Sequence, residues 1–420
     1  MQKSYKHPID RYFKRNAMSI STVEFFWGLA LPVLFESTFL QIFLRQIGAS
    51  HLTVGLIPTI QSAGTMLFSL MSAYLTSHLV HKKRWVILSH VLAGIPIIAF
   101  GLILNFIEAD SRVAAFITCY TLFSMMLGLT LPMWQNFTVM IFSNEMAIRG
   151  LSIMITTQIT TKLIGGLLIF RSIEKFSFST GSASVIFLVA GVLCLAGAFF
   201  FLPARELPDE TSAHAKKRHN LHSMYIAGKN ILSNRNYMLY LLSSVETYAT
   251  ITVISFYANY AVECRGIGKE TAAGLFVVSI YSAGILINLL TGWLGLFSIK
   301  TKFIIARLSA ITGTLLLPFL STAAGFISAS FIIGISRGIN QSAHSPAVRR
   351  LSGLHDATDY FALSALFVFP FSAGIPLASG LILDARSSGD ARVYIFLFSA
   401  LALIQAASLI MTLITDFNER

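Results

Sequence analysis

Residues 203–235, PARELPDETSAHAKKRHNLHSMYIAGKNILSNR, form the only long polar stretch in this chain of 420 residues. Six apolar runs precede it and six follow it, and each run has about the 20 residues that a helix needs to cross a bilayer. Within the stretch, apolar residues recur at helical spacing from Leu221 to Leu232, which predicts a short helix at the membrane interface. The stretch is therefore predicted to join two halves of a membrane protein.

The composition supports the same conclusion, because 55% of the residues are hydrophobic and only 12% are charged, whereas soluble domains have roughly 25% charged residues. The spans are predicted at 21–45, 54–79, 85–107, 113–142, 150–172, 183–202, 236–261, 271–296, 302–321, 323–345, 360–383 and 393–415. The predicted fold is an all-α integral membrane protein with twelve transmembrane helices in two six-helix bundles. Its expected parts are a basic cytoplasmic tail (1–20), a first bundle (21–205), a cytoplasmic linker (206–235) and a second bundle (236–420).

The distribution of basic residues predicts the orientation. The chain has a net charge of +12, and its Lys and Arg residues fall mostly in short clusters between apolar runs. This distribution is typical of a membrane surface, so no nucleic-acid partner is expected. Twenty Lys and Arg lie in loops on the side of the N-terminus, and eight lie in loops on the other side. Because cytoplasmic loops are enriched in Lys and Arg, both termini are predicted to be cytoplasmic, with the protein in the cell (inner) membrane.

The two halves of the sequence resemble each other. A shift of 220 residues places Ile47-Gly48 on Ile267-Gly268, and the same shift places Lys82 on Lys302. One register therefore covers a loop, a span and the next loop. Duplicated halves are typical of transporters, in which two bundles rock about a central binding site.

The loop between the second and third spans, SAYLTSHLVHKKR (72–84), ends in a basic cluster, and the fourth span contains GLTLPMWQNF (128–137). Together with the twelve spans, the six-plus-six division and the basic central loop, these motifs resemble the major facilitator superfamily, and the second motif is similar to uncharacterised bacterial members. The resemblance covers essentially the whole chain. It implies a central cavity lined by spans one, four, seven and ten. The family's loop usually has Gly, an acidic residue and Arg where this sequence has Ala73, Ser77 and His78.

Four ionisable residues lie deep inside predicted spans, where a charge is costly unless it faces a partner or a cavity. Glu246 and Arg337 lie about 15 and 12 Å from the cytoplasmic ends of their spans at 1.5 Å per residue, so we expect them to pair. Glu36 and Lys162 lie at about 22 and 18 Å by the same measure, which predicts a second pair. Each pair has two interpretations: a role in transport, or a structural contact between packed helices.

Uncharged polar residues accompany these charges. Asn340 and Gln341 follow Arg337 at i+3 and i+4, which places the three on one helix face. The other candidates for binding substrate or coupling ion are Trp134, Gln135, Asn136, Gln158 and Tyr257. Arg307 and Glu24 lie near the ends of their predicted spans instead, and their side chains are expected to extend to the membrane surface.

The sequence contains no G-x-x-x-x-G-K-[ST] motif and no grouping typical of an intramembrane hydrolase, so we expect neither an enzyme nor a cofactor or metal. The pattern favours a secondary active transporter that moves a small polar or charged solute by alternating access. The balance of Glu36 and Glu246 against Lys162 and Arg337 allows a zwitterionic solute.

The expected partners are the solute, membrane lipid, and protons or another coupling ion, and the protein is expected to be a monomer. Two alternatives stay open at this point. One is a multidrug or lipid exporter of the same fold, since 34 Phe and 13 Met provide a large apolar surface. The other is a membrane sensor or assembly protein that transports nothing.

Overall fold

The computed structural model describes residues 8–35, 37–76, 81–206, 221–294, 296–352, 358–385 and 390–417. This part of the chain folds into fifteen α-helices and no strand. The helices are α1 Phe13–Leu34, α2 Ser37–Gln46, α3 His51–Thr76, α4 Lys83–Ile103, α5 Arg112–Met140, α6 Asn144–Phe176, α7 Thr180–Phe199, α8 Leu221–Ser233, α9 Arg235–Ser243, α10 Val245–Arg265, α11 Phe276–Asn288, α12 Ile299–Leu316, α13 Ala323–Ser352, α14 Thr358–Asp384 and α15 Ala391–Ile414.

Twelve of the helical segments in the described ranges are long and apolar enough to cross a membrane, which confirms the predicted number. Helices α9 and α10 together form the seventh, Arg235–Arg265, and α8 precedes it as a separate helix of 13 residues. The placement of α8 at a membrane surface remains a prediction. Helix α11 is flanked by the π-helical segments Thr271–Leu275 and Leu289–Trp293.

The first span differs from its predicted bounds. Helix α1 begins at Phe13 rather than at residue 21, and it ends at Leu34, before the separate helix α2. The early start follows from the burial of Ala17 and Ile20 beside the exposed Lys14. The charged residues in this turn led to its prediction as part of the tail (1–20), whereas its buried face shows that it belongs to the helix.

The chain divides into two compact units. Unit 1 comprises residues 1–35, 63–165 and 180–220. In it α4 packs against α5 and α7, and α1 packs against α7. Close approach of α4 and α7 requires glycine, since a Cβ on Gly101 would lie 2.6 Å from the backbone nitrogen of Leu188.

The basic cluster after α3 is anchored inside unit 1. The carboxylate of Glu206 accepts hydrogen bonds from the backbone N–H groups of Lys82 (3.1 Å) and Lys83 (3.2 Å), and so it caps the N-terminus of α4. The ammonium of Lys83 donates to the carbonyls of Leu202 (3.3 Å) and Ala204 (3.1 Å). The acid that contacts this loop thus comes from the segment after α7. Ser77 and His78 of the predicted loop motif lie outside the described residues.

Unit 2 comprises residues 36–62, 166–179 and 221–420. Its largest helix contacts join α13 to α11 and α12, and α15 to α10 and α12, while α2 packs against α10. An aromatic core lies near the start of α10, where the rings of Tyr240, Phe303 and Phe417 lie within 6.2 Å of one another. The segments 36–62 and 166–179 thus belong to the same compact unit as the second half of the chain. The predicted boundaries of the two six-helix bundles remain a prediction.

Candidate functional site

Glu246 lies at the centre of a buried polar network in unit 2. Its side chain is 0% exposed, and each carboxylate oxygen accepts two hydrogen bonds. Oε1 accepts from the hydroxyls of Thr250 (2.7 Å) and Ser336 (2.8 Å). Oε2 accepts from Nη1 of Arg307 (2.9 Å) and from Nδ2 of Asn340 (3.0 Å). Both oxygens of this carboxylate thus have their acceptor positions occupied by side-chain donors.

The cation that pairs with Glu246 is Arg307, so the prediction that Arg337 is its partner is wrong. The prediction that Arg307 extends to the membrane surface is also wrong, because its side chain is 0% exposed. Helix α12 begins at Ile299 rather than at residue 302, so Arg307 lies a further turn inside its span. Its Nη1 also donates to Oδ1 of Asn340 (2.6 Å), and its guanidinium lies over the ring of Phe303 at 5.1 Å.

Arg307 has hydrogen-bonding capacity that its neighbours leave unused. Its Nε and Nη2 are buried and have no hydrogen-bond partner among the described residues. The network also extends to α15, where Nε2 of Gln405 donates to the hydroxyl of Thr250 (3.1 Å). The residues of the network therefore come from α10, α12, α13 and α15.

The polar residues predicted on one face of α13 differ in their burial and contacts. Asn340 joins the network around Glu246, whereas Gln341 is exposed and Arg337 is half-buried. His344, one turn further along, is exposed, and its Nδ1 is hydrogen-bonded to the hydroxyl of Tyr240 (2.6 Å). The face thus runs from a fully buried ion pair to side chains that reach the helix surface.

Tyr257 does not join this site. It is fully buried, its hydroxyl is hydrogen-bonded to that of Ser330 (2.8 Å), and its ring stacks on Phe276. These contacts are those of a packed core residue. The candidate Tyr257 is thus packed against α11 and α13.

In unit 1 the buried acid is Glu24. Its side chain was predicted to reach the membrane surface, and this is wrong, because Glu24 is only 4% exposed. Nε2 of Gln158 on α6 donates to its Oε2 (2.5 Å), and Lys162, one turn further along α6, interacts electrostatically with the same carboxylate. Two predicted site residues, Gln158 and Lys162, thus lie together beside Glu24. Glu24 had been assigned to the membrane surface because it lies near the start of its predicted span. Glu36, the predicted partner of Lys162, lies outside the described residues.

The fourth-span candidates are more exposed. Gln135 is exposed and Trp134 is half-buried, with its indole nitrogen buried and without a hydrogen-bond partner in the described ranges. Asn136 lies on α5, and its side chain is outside what the structure describes. In the described part of the chain, no group of three or more His, Cys, Asp or Glu residues is arranged to hold a metal ion.

A second charged cluster lies in unit 2, at the end of α10 opposite to Glu246. Nε of Arg45 donates to Oε1 of Glu263 (2.8 Å), and the hydroxyl of Tyr394 donates to Oε2 (2.9 Å). Asp384, at the end of α14, caps the N-terminus of α3 by accepting from the backbone N–H groups of His51 (2.8 Å) and Leu52 (2.7 Å).

The same ends of α3 and α14 pack backbone to backbone, a feature we name the α3–α14 contact (51–59 against 373–384). A Cβ on Gly380 would lie 2.5 Å from the carbonyl oxygen of His51, and one on Gly55 would collide with the carbonyl oxygen of Pro376. The hydroxyl of Thr59 donates to the carbonyl of Ala373 (2.8 Å). This contact was not among the predictions, although small residues on both spans are the sequence signal expected for it.

The model of the Major Facilitator Superfamily matches residues 17–375 of the chain. No curated protein matches its sequence.

Solved structures give the fold independently. The nucleoside transporter NupG is 11% identical, with a TM-score of 0.71 over 94% of this chain and 98% of that one. A POT family transporter in complex with 5-aminolevulinic acid is 13% identical, with a TM-score of 0.69 over 95% and 96%. A bacterial homolog of the human lysosomal transporter Spinster is 12% identical, with a TM-score of 0.63 over 98% and 96%.

Proposed function

The chain belongs to the Major Facilitator Superfamily, and from this premise we propose that it moves a small polar or charged solute across the membrane by alternating access. It is a multi-pass integral membrane protein of a transporter family, not an enzyme. The observation that carries the proposed solute class is the polar face of α13. On this face Asn340 hydrogen-bonds to both members of the buried pair Glu246–Arg307, and the next residue, Gln341, is exposed.

Charge balance supports a solute that carries both signs. The buried acids Glu24 and Glu246 are matched by the bases Lys162 and Arg307. The unused Nε and Nη2 donors of Arg307 suit a carboxylate or another hydrogen-bond acceptor. Solved structures of similar fold include a nucleoside transporter and the peptide transporter POT, so nucleosides and peptides are the first solutes to test on this chain.

We also propose that transport is coupled to protons, with Glu24 as the group that takes up the proton. Glu246 suits this role poorly because all its acceptor positions are occupied. Among the described residues Glu24 accepts one side-chain hydrogen bond, from Gln158, and Lys162 lies close enough to interact electrostatically with its carboxylate. A movement of α6 against α1 that changes this contact would link proton uptake to the conformational cycle.

Uptake into proteoliposomes tests the function and the coupling together. Radiolabelled nucleosides, dipeptides and amino acids are offered under an inward pH gradient and, separately, as exchange at equal pH. We expect one class to accumulate, and Glu24→Gln to abolish accumulation while it spares exchange. Glu108→Gln, at an exposed carboxylate, is the matched control and keeps both. Accumulation that persists in Glu24→Gln would assign the coupling to another group, and the lack of any flux would contradict transport itself.

The proposed orientation places both termini and the linker in the cytoplasm of a cell (inner) membrane. It is tested with single cysteines in a variant that lacks Cys119, Cys194 and Cys264. In intact cells, an impermeant maleimide is expected to label cysteine placed at Ser111, an exposed position between the third and fourth spans, and not cysteine placed at Ser233, exposed at the end of α8. Labelling of cysteine at position 233 without permeabilisation would contradict the proposed orientation.

A further inference from the structure

An open cleft of about 490 Å³ lies in unit 1 between α1 and α6. Its walls are formed mainly by apolar side chains, including Phe13, Met18, Phe25 and Ile153, and Lys14 lies at one end. Ser21 also lines it, and its hydroxyl is buried without a hydrogen-bond partner in the described part of the chain. A volume of this size is typical of sites for small molecules.

The cleft is distinct from the general lipid-facing surface. In the most apolar 18-residue stretch of the first span 67% of the residues are buried, against 33% in the corresponding stretch of the span within α6. The exposed side chains of α1 within the bilayer are nearly confined to one stripe, in which Met18 is 72% exposed and Phe25 is 42% exposed. Their neighbours Ile20 and Val23 are fully buried. An inner helix with one exposed apolar stripe leaves room for a specific occupant rather than for an annulus of lipid.

Positive charge surrounds the end of the cleft at which α1 begins. Lys14 lines the cleft, and the other exposed cations nearby in sequence are Arg11 and Arg15. The guanidinium of Arg149 lies 5.8 Å from the ring centre of Phe13, which also lines the cleft. Asp10 is the acidic residue of this turn. The cluster is therefore complementary to an anion, while the rest of the cleft is complementary to a hydrocarbon chain.

We propose that this cleft holds one anionic phospholipid, with an acyl chain along α1 and the phosphate at Lys14. From Phe13 to Phe25 the helix rises about 18 Å, which is close to half of the roughly 30 Å hydrocarbon core, the depth of one leaflet. Basic pockets between transmembrane helices are suited to anionic head groups. An inorganic phosphate ion would leave the apolar walls without a partner, so the occupant is a lipid and not a free anion.

Native mass spectrometry of the purified full-length protein tests this proposal with two probes, phosphatidylglycerol and phosphatidylcholine. We expect retention of one phosphatidylglycerol at activation energies that remove phosphatidylcholine. Lys14→Gln should weaken that retention about fivefold, the effect of losing one basic contact at an anionic surface. Lys175→Gln, which removes a lysine at the other end of α6, is the matched control and should retain the lipid.

Ser21→Phe is the second variant, because it fills the cleft and removes a hydroxyl that has no partner in the described residues. It should lose the bound lipid while its thermal unfolding in lipid-free detergent stays like that of the wild type. If Ser21→Phe does not fold, Lys14→Gln and its control decide the outcome. Equal retention of the two lipids, or unchanged retention in Lys14→Gln, would overturn the proposal. So would protein-dependent movement of fluorescent phosphatidylglycerol between leaflets that Ser21→Phe stops, since the lipid would then be the transported solute.

Discussion

Replacing Arg307 with methionine is expected to destabilise the protein by about 3–5 kcal/mol, because it leaves the carboxylate of Glu246 buried without its cation. Glu246→Gln alone should also destabilise it, since Arg307 then loses its only ion pair in the described chain. The double variant Glu246→Gln/Arg307→Met removes both charges and should be more stable than either single variant. The measurement is thermal unfolding in detergent, monitored as the loss of monodisperse protein with rising temperature.

The matched control is the pair that the sequence predicted. Glu246→Gln/Arg337→Met still leaves Arg307 unpaired, so it should show no recovery relative to Glu246→Gln. Recovery in this combination but not in Glu246→Gln/Arg307→Met would show that Arg337 is the energetic partner. Additive losses in both double variants would show that neither cation is coupled to Glu246.

Gly380→Val is expected to reduce transport by about tenfold to a hundredfold, because the new side chain separates α3 from α14. Its Cβ would lie 2.5 Å from the carbonyl oxygen of His51 and 2.8 Å from Cα of Leu52, and neither backbone atom belongs to a flexible side chain. Overpacking of this kind costs about 1–3 kcal/mol, so the arrangement with these helices in contact becomes correspondingly less populated. The measurement is solute uptake together with maleimide labelling of cysteine placed at Thr59 from outside the cell, which should accelerate as uptake falls.

Gly374→Val provides the control on the same helix. Apart from its chain neighbours and the backbone of its own helix, no atom of the described residues lies within 4 Å of a Cβ built there, and Gly374 lies six residues from Gly380. It should transport like the wild type and leave the labelling of Thr59→Cys unchanged. If Gly374→Val and Gly380→Val behave alike, the effect belongs to β-branching in α14 and not to the α3–α14 contact.

The sequence predicted the fold well because apolar length is a property of each span by itself. A helix must satisfy its backbone within the bilayer, so twelve apolar runs separated by charges specify twelve helices. The depth of a charge is harder to predict, since it depends on where the helix begins. The start of α12 was predicted three residues too late, so Arg307 was expected at the membrane surface although it is the buried partner of Glu246. The start of α1 was predicted eight residues too late, so buried Glu24 was expected at the surface as well.

The site could be predicted only in part. Asn340, Gln158 and Lys162 do lie beside buried charges, because helical periodicity identifies faces. Periodicity does not reveal what covers a face, and the candidate Tyr257 is packed in the core. Hydroxyls such as Ser336 gave no signal, since serine is common in membrane helices and bonds its own backbone as readily as a distant carboxylate.

The network around Glu246 also determines how this part of the protein can move. It ties together four helices through hydrogen bonds of 2.6–3.1 Å, and sliding any one of them by a single residue would displace its donor by about 1.5 Å, too far for these bonds to survive. Relative translation of α10, α12, α13 and α15 would therefore break these hydrogen bonds. We therefore expect these four helices to move together, and bending during a transport cycle to occur in segments outside the network, such as the two-proline helix α14.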